Sequence, residues 1–244
     1  MTRLRVEATL QVGESVPIAG DQAHHLTVVL RARVGASVEL VDGSGARWVG
    51  RVTGTSPVTI EVLETVTGPS ADPAGRLEVW VPLLKGGKTD DLVRQLTELG
   101  VAHITCFTST RSVARLEPPK RAKRVARWET IAAEATRQCG RVEVPGVCFS
   151  AGLPEAGPGV YLWEEGDAPA HAAFSGAVAE GVLRVLTGPE GGLAAADAAA
   201  LAAVGWTPAS LGARILRAET AVVAAATLGL VALGEEGYGA WGPG

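Results

Sequence analysis

Four charged side chains lie in two glycine-containing segments, residues 186–193 and 210–221: Glu190, Arg214, Arg217 and Glu219. Carboxylates accept protons in enzymes, and guanidinium groups stabilise negative charge that develops during a reaction. Glycines leave backbone N–H and C=O groups uncovered, so a flat polar ring could lie against them. These residue types are typical of a site that binds a ligand and carries out acid–base chemistry.

The elements around both segments are predicted from the hydrophobic pattern. The apolar run 182–186 indicates a buried strand before the first segment, and residues 208–211 indicate a short strand at the second. An Ala-rich helix over 194–204 follows the first segment, and a buried helix over 217–233 follows the second. Ligands bind at the carboxyl ends of strands in open α/β sheets, which is where these segments are expected.

The first segment does not specify a ligand by itself. Residues 188–192 read Gly-Pro-Glu-Gly-Gly, without the Gly-Lys-Ser/Thr of a phosphate loop or the glycine spacing of a dinucleotide site. Alone, they are equally compatible with a tight strand-to-helix turn that binds nothing. The second segment is more specific, because residues 211–221 read Leu-Gly-Ala-Arg-Ile-Leu-Arg-Ala-Glu-Thr-Ala.

Together, the two segments resemble the SPOUT superfamily of S-adenosylmethionine (AdoMet) methyltransferases. Over nearly its whole length, the chain is similar to the bacterial enzymes that methylate N3 of a uracil in small-subunit (16S) ribosomal RNA. The resemblance implies an α/β fold, in which a small PUA-like β-barrel domain precedes a SPOUT-type parallel sheet with a carboxyl-terminal trefoil knot. It also implies a homodimer and an AdoMet molecule bent into the knotted loops. A knot departs from the general rule that chains do not thread their own loops.

The resemblance also implies roles for individual residues. Methylation of N3 needs an acceptor for the N3 proton and donors for the charge that spreads onto O2 and O4. Arg217 is expected to stabilise this charge, and Glu219 or Glu134 to accept the proton. The alternative for Glu219 is a cap on the following helix. The residues expected to bind AdoMet are Leu186, Thr187, Gly188, Glu190, Gly191, Leu211, Gly212, Ile215, Leu216 and Ala218.

Residues 1–70 are predicted to form the PUA-like, RNA-binding domain. Its expected elements are strands at 16–18, 37–41, 48–52 and 58–62, and a hairpin turn at 42–45. Asp21 is a candidate cap for a helix that carries residues 24–31. This helix matches the family's His-His-Leu-x-x-Val-Leu-Arg-x-Arg-Val-Gly sequence. Arg31 and Arg33 are therefore candidates for RNA contact, and two ordinary surface arginines are the alternative.

A Gly- and Pro-rich linker at 68–75 precedes the predicted methyltransferase domain, residues 76–236. The expected elements that precede its two glycine segments are strands at 77–84, 101–107, 147–149 and 160–163, and helices at 90–99 and 118–139. Alternation of strands and helices predicts a parallel sheet. No element is predicted over 168–181.

Basic residues concentrate between 111 and 141, although the net charge of the chain is −4. A local basic face is enough to neutralise RNA phosphates, and an ordinary solvated helix face is the alternative. The family's Arg-Ser-Val and Glu-Ala-x-x-Gln-x-Gly-Arg motifs occur in this stretch, and its Lys-Gly turn occurs earlier, at residues 85–88, with Gly87 in place of an acidic residue. On these motifs, the residues expected to contact RNA are Lys85, Arg111, Gln138 and Arg141.

Other features of the sequence favour a cytoplasmic protein without a metal. No apolar run is long enough to span a bilayer, and no signal-peptide region is expected at the amino terminus. Cys106, Cys139 and Cys148 lack Cys-x-x-Cys spacing, which favours reduced thiols and no zinc site. Three other functions stay open: a ribose 2′-O-methyltransferase of the same superfamily, a small-molecule α/β enzyme, and a non-catalytic, RNA-binding factor in ribosome assembly.

Overall fold

The computed structural model describes residues 2–43, 46–66 and 75–234. Contacts divide the chain into two compact units, Met1–Ser70 and Ala71–Gly244. The predicted linker lies outside the described residues except for Gly75. Two residues of the predicted hairpin turn, 44 and 45, and the last two residues of the predicted methyltransferase domain also lie outside them.

The described residues of the first unit form five strands, β1 (Thr2–Arg5), β2 (Ser15–Ile18), β3 (Ser37–Val41), β4 (Arg47–Thr55) and β5 (Val58–Thr65). They form one curled sheet in the order β1-β3-β4-β5-β2, in which β1 is parallel to β3 and the other pairs are antiparallel. Leu40, Val52 and Ile60 are buried in its core. The sequence pattern predicts four of these strands and misses β1, whose four residues include a single apolar side chain, Leu4.

The predicted role of Asp21 as a helix cap is wrong. Helix α1 (Gly20–His24) begins at the residue before Asp21, and its cap position is Ala19, which makes no side-chain hydrogen bond. Asp21 therefore lies within the first helical turn. A π-helical turn, His25–Val29, continues α1 and buries Leu26 in the core.

Between residues 75 and 234, the second unit forms six strands, β6 (Arg76–Pro82), β7 (His103–Phe107), β8 (Gly146–Ser150), β9 (Gly159–Leu162), β10 (Val182–Thr187) and β11 (Trp206–Ala209). Every neighbouring pair is parallel, in the order β11-β9-β10-β6-β7-β8, which confirms the predicted α/β fold. The chain adds β7 and β8 on one side of β6, and then β9, β10 and β11 on the other. Ligands bind where the strand order reverses in this way.

Five helices cover the sheet: α2 (Lys88–Leu99), α3 (Pro118–Cys139), α4 (Ala170–Ala177), α5 (Ala195–Ala203) and α6 (Ala218–Ala232). Buried side chains of α2, α3, α4 and α6 form one core with one face of the sheet. Helix α5 packs on the opposite face, against Phe107, Tyr161 and Leu186. The sequence pattern does not predict α4, because its short, Ala-rich sequence has little apolar periodicity.

Strand β11 lies earlier in the chain than the predicted strand at 208–211. Trp206 is 2% exposed and packs against Gly159, where an added Cβ would lie 2.7 Å from the indole ring. This packing places the start of the strand at Trp206 and leaves Ser210 and Leu211 in the loop that follows.

Within the residues that the structure describes, no helix has both the length and the apolar character required to cross a membrane. The trefoil knot stays a prediction from the family resemblance.

Candidate functional site

A cavity of about 740 Å³ lies at the carboxyl ends of β9, β10 and β11. Three loops line it, namely residues 162–164, 187–193 and 210–217, together with Lys88 and the first turns of α6. These strands are parallel neighbours, so their carboxyl ends meet at one edge of the sheet. The volume is within the usual range for a small-molecule site, which is roughly 300–1,000 Å³.

The two glycine segments come together at this cavity. The residues that were expected to bind AdoMet and that line it are Thr187, Gly188, Glu190, Gly191, Leu211, Gly212, Ile215, Leu216 and Ala218. Leu186 is the exception, because its side chain is fully buried against Phe107 and Tyr161. Its side chain packs β10 against α5, and its expected contact with AdoMet stays a prediction.

Thr187 has an unusual environment at the end of β10. The residue is 1% exposed, and its buried Oγ1 has no hydrogen-bond partner in the part of the chain that the structure describes. Buried polar atoms nearly always have a partner, so an orphaned hydroxyl on a cavity wall suits a polar ligand. The hydroxyl is both a donor and an acceptor, and a nitrogen heterocycle offers groups of both kinds.

Close packing holds the first glycine segment in place. A Cβ added at Gly191 would lie 3.1 Å from the carbonyl oxygen of Arg111, and one at Gly188 would lie 3.2 Å from Cγ of Leu193. Arg111, expected to contact RNA, donates from Nη1 to the carbonyl oxygens of Gly191 and Leu193, both at 3.3 Å. The guanidinium therefore supports the loop in this structure.

Glu219 lies in the first turn of α6, beside the cavity. Its Oε1 is 3.1 Å from Nζ of Lys88, and its Oε2 is buried without a partner among the described residues. A hydrogen bond from its own backbone N–H and another from Lys88 lower the pKa of the Glu219 carboxyl. Glu219 is therefore an ionised carboxylate with one oxygen left for a ligand. The amino-terminal cap position of α6 is Arg217, which makes no side-chain capping hydrogen bond. Glu219 therefore contributes to the start of α6 from within its first turn and not as the cap residue.

Arg217 lines the same cavity, two residues before Glu219 on the loop-to-helix boundary. Glu134 does not, because it is exposed on α3 beside Gln138, outside the residues that line the cavity. Of the two expected proton acceptors, only Glu219 is thus near Arg217 and the glycine segments.

Arg141 is a structural residue in this chain. It is 5% exposed, and its Nη1 donates to the carbonyl oxygens of Thr97 at 3.0 Å and Val101 at 2.9 Å. These carbonyls end α2 and precede β7, so the guanidinium joins α2, the loop after α3 and β7. The expectation that Arg141 contacts RNA is therefore corrected, because a buried guanidinium with backbone partners is not available to phosphates.

The other residues expected to contact RNA are on the surface. Lys85 is exposed in the turn before α2, and Gln138 is exposed near the end of α3. In the first unit, Arg31 and Arg33 are exposed after the π-helical turn. Arg31 has a φ of 52°, a left-handed conformation that costs a non-glycine residue about 1–2 kcal/mol. Strained backbone of this kind is most common at functional sites.

The basic face of α3 is partly neutralised. Asp90 accepts hydrogen bonds or ion pairs from Arg124 at 3.0 Å, Arg127 at 2.7 Å and Nε1 of Trp128 at 2.9 Å. Lys120 and Lys123 are exposed on the same helix. The basic stretch therefore both anchors α3 to α2 and presents cations to solvent.

Residues without an individual role in the sequence-based expectations also line the cavity: Lys88, Leu162, Trp163, Glu164, Pro189, Gly192, Leu193, Ser210, Ala213, Arg214 and Ala221. Lys88 lies in the family's Lys-Gly turn, and Glu164 follows the end of a predicted strand. The sequence therefore gives a reason to consider both residues as members of the site. Nothing in their spacing relates them to Glu219. Among the described residues, no group of three or more His, Cys, Asp or Glu side chains is arranged to hold a metal ion.

Comparison with known families gives two matches. The RNA methyltransferase domain model matches residues 71–229, and the RNA methyltransferase PUA domain model matches residues 18–63.

Individual relatives agree with these two matches. The chain is 31% identical over 238 residues to the ribosomal RNA small subunit methyltransferase E of Bacillus subtilis, covering 91% of this chain and 93% of the relative. A ribosomal RNA small subunit methyltransferase E from Neisseria gonorrhoeae, solved bound to S-adenosyl methionine, has a TM-score of 0.70 and 28% identity, with 93% and 95% coverage. A putative methyltransferase from Legionella pneumophila, with a TM-score of 0.73, 22% identity and 96% and 97% coverage, shares the fold.

Proposed function

The chain belongs to the RNA methyltransferase family, and we propose that it transfers the methyl group of AdoMet to N3 of a uridine in small-subunit ribosomal RNA. The observation that carries this proposal is the cavity in which both glycine segments meet Arg217 and Glu219. The names of the relatives support the RNA substrate, and the motifs shared with uracil-N3 methyltransferases support the position of the methyl group.

The cavity residues fit AdoMet. Thr187 would offer its unpartnered hydroxyl to the adenine ring, and Gly212, where an added Cβ would meet no atom within 4 Å, would leave its backbone open to the ligand. Bound AdoMet supplies a methyl carbon that is electrophilic because it is attached to a sulfonium. The protein's task is therefore alignment for in-line attack.

The nucleophile needs more help than the methyl group. N3 of uracil carries a proton, and negative charge spreads onto O2 and O4 as that proton leaves. In the proposed mechanism, Oε2 of Glu219 accepts the proton, while the guanidinium of Arg217 stabilises the charge on a uracil oxygen. Lys88 holds Oε1 of Glu219 and so orients the carboxylate. Because N3 is on the pairing edge of the base, the target uridine must be unpaired or extruded from its stack.

Removal of the Thr187 hydroxyl tests the adenine contact. Thr187→Val is expected to weaken AdoMet binding by about 1 kcal/mol, or roughly fivefold, because one hydrogen bond is lost. The free protein should keep its stability, since the hydroxyl has no partner there. Thr136→Val is the matched control, because Thr136 Oγ1 is also buried and unpartnered but lies on α3 away from the cavity. Calorimetry that finds equal affinities for both variants would remove Thr187 from the cofactor site.

Lys88 is expected to set the pH at which methylation begins. The Lys88 ammonium helps to lower the pKa of Glu219, so Lys88→Met should raise that pKa. The carboxylate accepts a proton only when ionised, and activity falls as the pH drops through its pKa. The acidic limb of the single-turnover rate should therefore move to higher pH in Lys88→Met and stay in place in Lys88→Arg. Superimposable acidic limbs for wild type and Lys88→Met would contradict the pairing.

The exposed arginines of the first unit are expected to contribute to RNA affinity. The Arg31→Ala, Arg33→Ala double variant should bind ribosomal RNA more weakly and lower the slope of log affinity against log salt by about 2, one unit for each phosphate contact. Arg94→Ala is the control, because Arg94 is exposed on α2 and pairs with Asp91 and Glu98. An unchanged slope in the double variant would place these arginines outside the RNA surface.

Three further assignments rest on the family. We propose that the assembled small subunit is the RNA substrate, that the enzyme acts in the cytoplasm, and that it forms a homodimer. Sedimentation of the purified chain tests the dimer.

The experiment that tests the proposed function is transfer of labelled methyl groups from AdoMet to purified small subunits and to free small-subunit RNA. Incorporation into ribosomal RNA is expected, and the labelled nucleoside should be 3-methyluridine. Label in a 2′-O-methylated nucleoside would favour ribose methylation, and AdoMet-independent RNA binding without incorporation would favour an assembly factor.

A further inference from the structure

A cluster of reactive side chains lies on β7 and the edge strand β8 of the parallel sheet, away from the residues that line the cavity. Sγ of Cys148, on the edge strand β8, is 3.4 Å from Nε2 of His103 and 3.4 Å from Oγ1 of Thr105. The register pairs Thr105 with Cys148 and places His103 beside Gly146. The three side chains therefore share one face of the sheet, since alternate residues of a strand point the same way.

Gly146 lets the imidazole of His103 reach Cys148. A Cβ at residue 146 would clash with Nδ1 of His103 and would lie 2.9 Å from its Cε1. The ring therefore lies across β8 above the glycine, and Nε2 meets the thiol two residues along the same strand. A larger residue at 146 would displace the imidazole.

Charged neighbours support a proton shared between the two groups. Glu78 is beside His103 on β6 and is held by Nε of Arg184 at 2.8 Å. The pKa of His103 is raised, mainly by its hydrogen bond with Cys148 and further by Glu78, whereas Arg76 acts in the opposite direction. The pKa of the Cys148 thiol is lowered, mainly by the hydrogen bond with His103.

The other cysteines lack this environment. Cys106 is fully buried, and burial raises the pKa of its thiol. Cys139 is half-buried, and its Sγ donates to the carbonyl oxygen of Thr136 at 3.7 Å, without a histidine partner among the described residues. Cys148 is half-buried on an edge strand, so a small molecule in solution can reach it. The chain thus allows a comparison between Cys148, which is hydrogen-bonded to a histidine, and two cysteines that lack this partner in the described part of the chain.

We propose that Cys148 is a nucleophilic thiol that undergoes thiol–disulfide exchange with small disulfides, with His103 as its proton partner. Sγ attacks one sulfur of a disulfide RSSR, and the new S–S bond forms as the old one breaks. The leaving thiolate takes the proton that His103 received from Cys148. The balance is Cys148–SH + RSSR → Cys148–S–SR + RSH, and the disulfide is the oxidant.

The test is the rate of modification of each cysteine in the folded, full-length protein. The protein is treated with 2-hydroxyethyl disulfide at neutral pH, and the mixed disulfides are mapped by mass spectrometry over time. Cys148 is expected to react first. His103→Phe should slow it roughly tenfold, because a thiol at its ordinary pKa is only a few per cent thiolate at neutral pH. Gly146→Ala should slow it as well, and Cys139→Ser should leave its rate unchanged.

Two outcomes would overturn the proposal. One is modification of Cys139 at the same rate as Cys148 in the wild-type protein, a comparison that needs no variant. The other is a wild-type rate at Cys148 in both His103→Phe and Gly146→Ala, each shown to be folded by its melting curve.

Discussion

Glu219→Gln is expected to lower the single-turnover rate of RNA methylation by roughly 10²–10⁴-fold, the usual contribution of a positioned proton acceptor. A carboxamide keeps the size of the side chain but does not take up the N3 proton. AdoMet affinity should change little, because the carboxylate acts on the uracil in the proposed mechanism. The measurement is a rapid-quench assay with saturating RNA and cofactor.

Glu134→Gln is the matched control for Glu219. It makes the same chemical change on an exposed face of α3, outside the cavity, and should react at a near-normal rate. A melting curve of Glu219→Gln controls for the loss of its ion pair with Lys88. Equal losses in the two variants, or a normal rate in a folded Glu219→Gln protein, would mean that Glu219 is not the proton acceptor.

Arg217→Ala is expected to lower the same rate constant by roughly a hundred- to a thousandfold, or about 2.7–4 kcal/mol. The reason is that only contacts stronger in the transition state than in the ground state accelerate the step. Arg217 lies at the start of α6 on the cavity wall, so AdoMet affinity should be nearly unchanged. Arg217→Lys should recover little if the contact is bidentate, since an ammonium lacks the guanidinium fork.

Arg214→Ala separates a specific role of Arg217 from a general effect of positive charge. Arg214 lines the same cavity three residues earlier, and its loss should cost much less. The competing explanation is that Arg217 only packs near the loop. In that case Arg217→Ala would lower the melting temperature or the AdoMet affinity and leave the single-turnover rate near normal.

The hydrophobic pattern predicts most of the fold because each strand and helix buries one face. Helix α3 begins and ends at Pro118 and Cys139 as predicted, where Pro stands in the first turn and Gly140 adopts a left-handed φ of 88° after the end. The pattern fails where the element is short. Strand β1 has one buried leucine, and α4 is an eight-residue, Ala-rich segment, so neither has a recognisable period.

The candidate site likewise has parts that the sequence predicts and parts that it does not. The two glycine segments are visible in the sequence because local turn chemistry and family motifs identify them. Contacts between distant residues are not visible: Lys88 reaches Glu219 only because α2 and α6 pack together. At Arg141 the sequence motif is misleading. The motif predicts an RNA contact, whereas the guanidinium is buried against the carbonyl oxygens of Thr97 and Val101.

The central claim is methylation of uracil N3 in small-subunit ribosomal RNA, and nucleoside analysis of a deletion strain tests it most directly. Small-subunit RNA from the strain is digested to nucleosides and compared with RNA from the parent and from strains that carry wild-type or Glu219→Gln protein. We expect 3-methyluridine to disappear on deletion, to return with the wild-type protein and not to return with Glu219→Gln. Unchanged 3-methyluridine in the deletion strain, with loss of a 2′-O-methylated nucleoside instead, would contradict it.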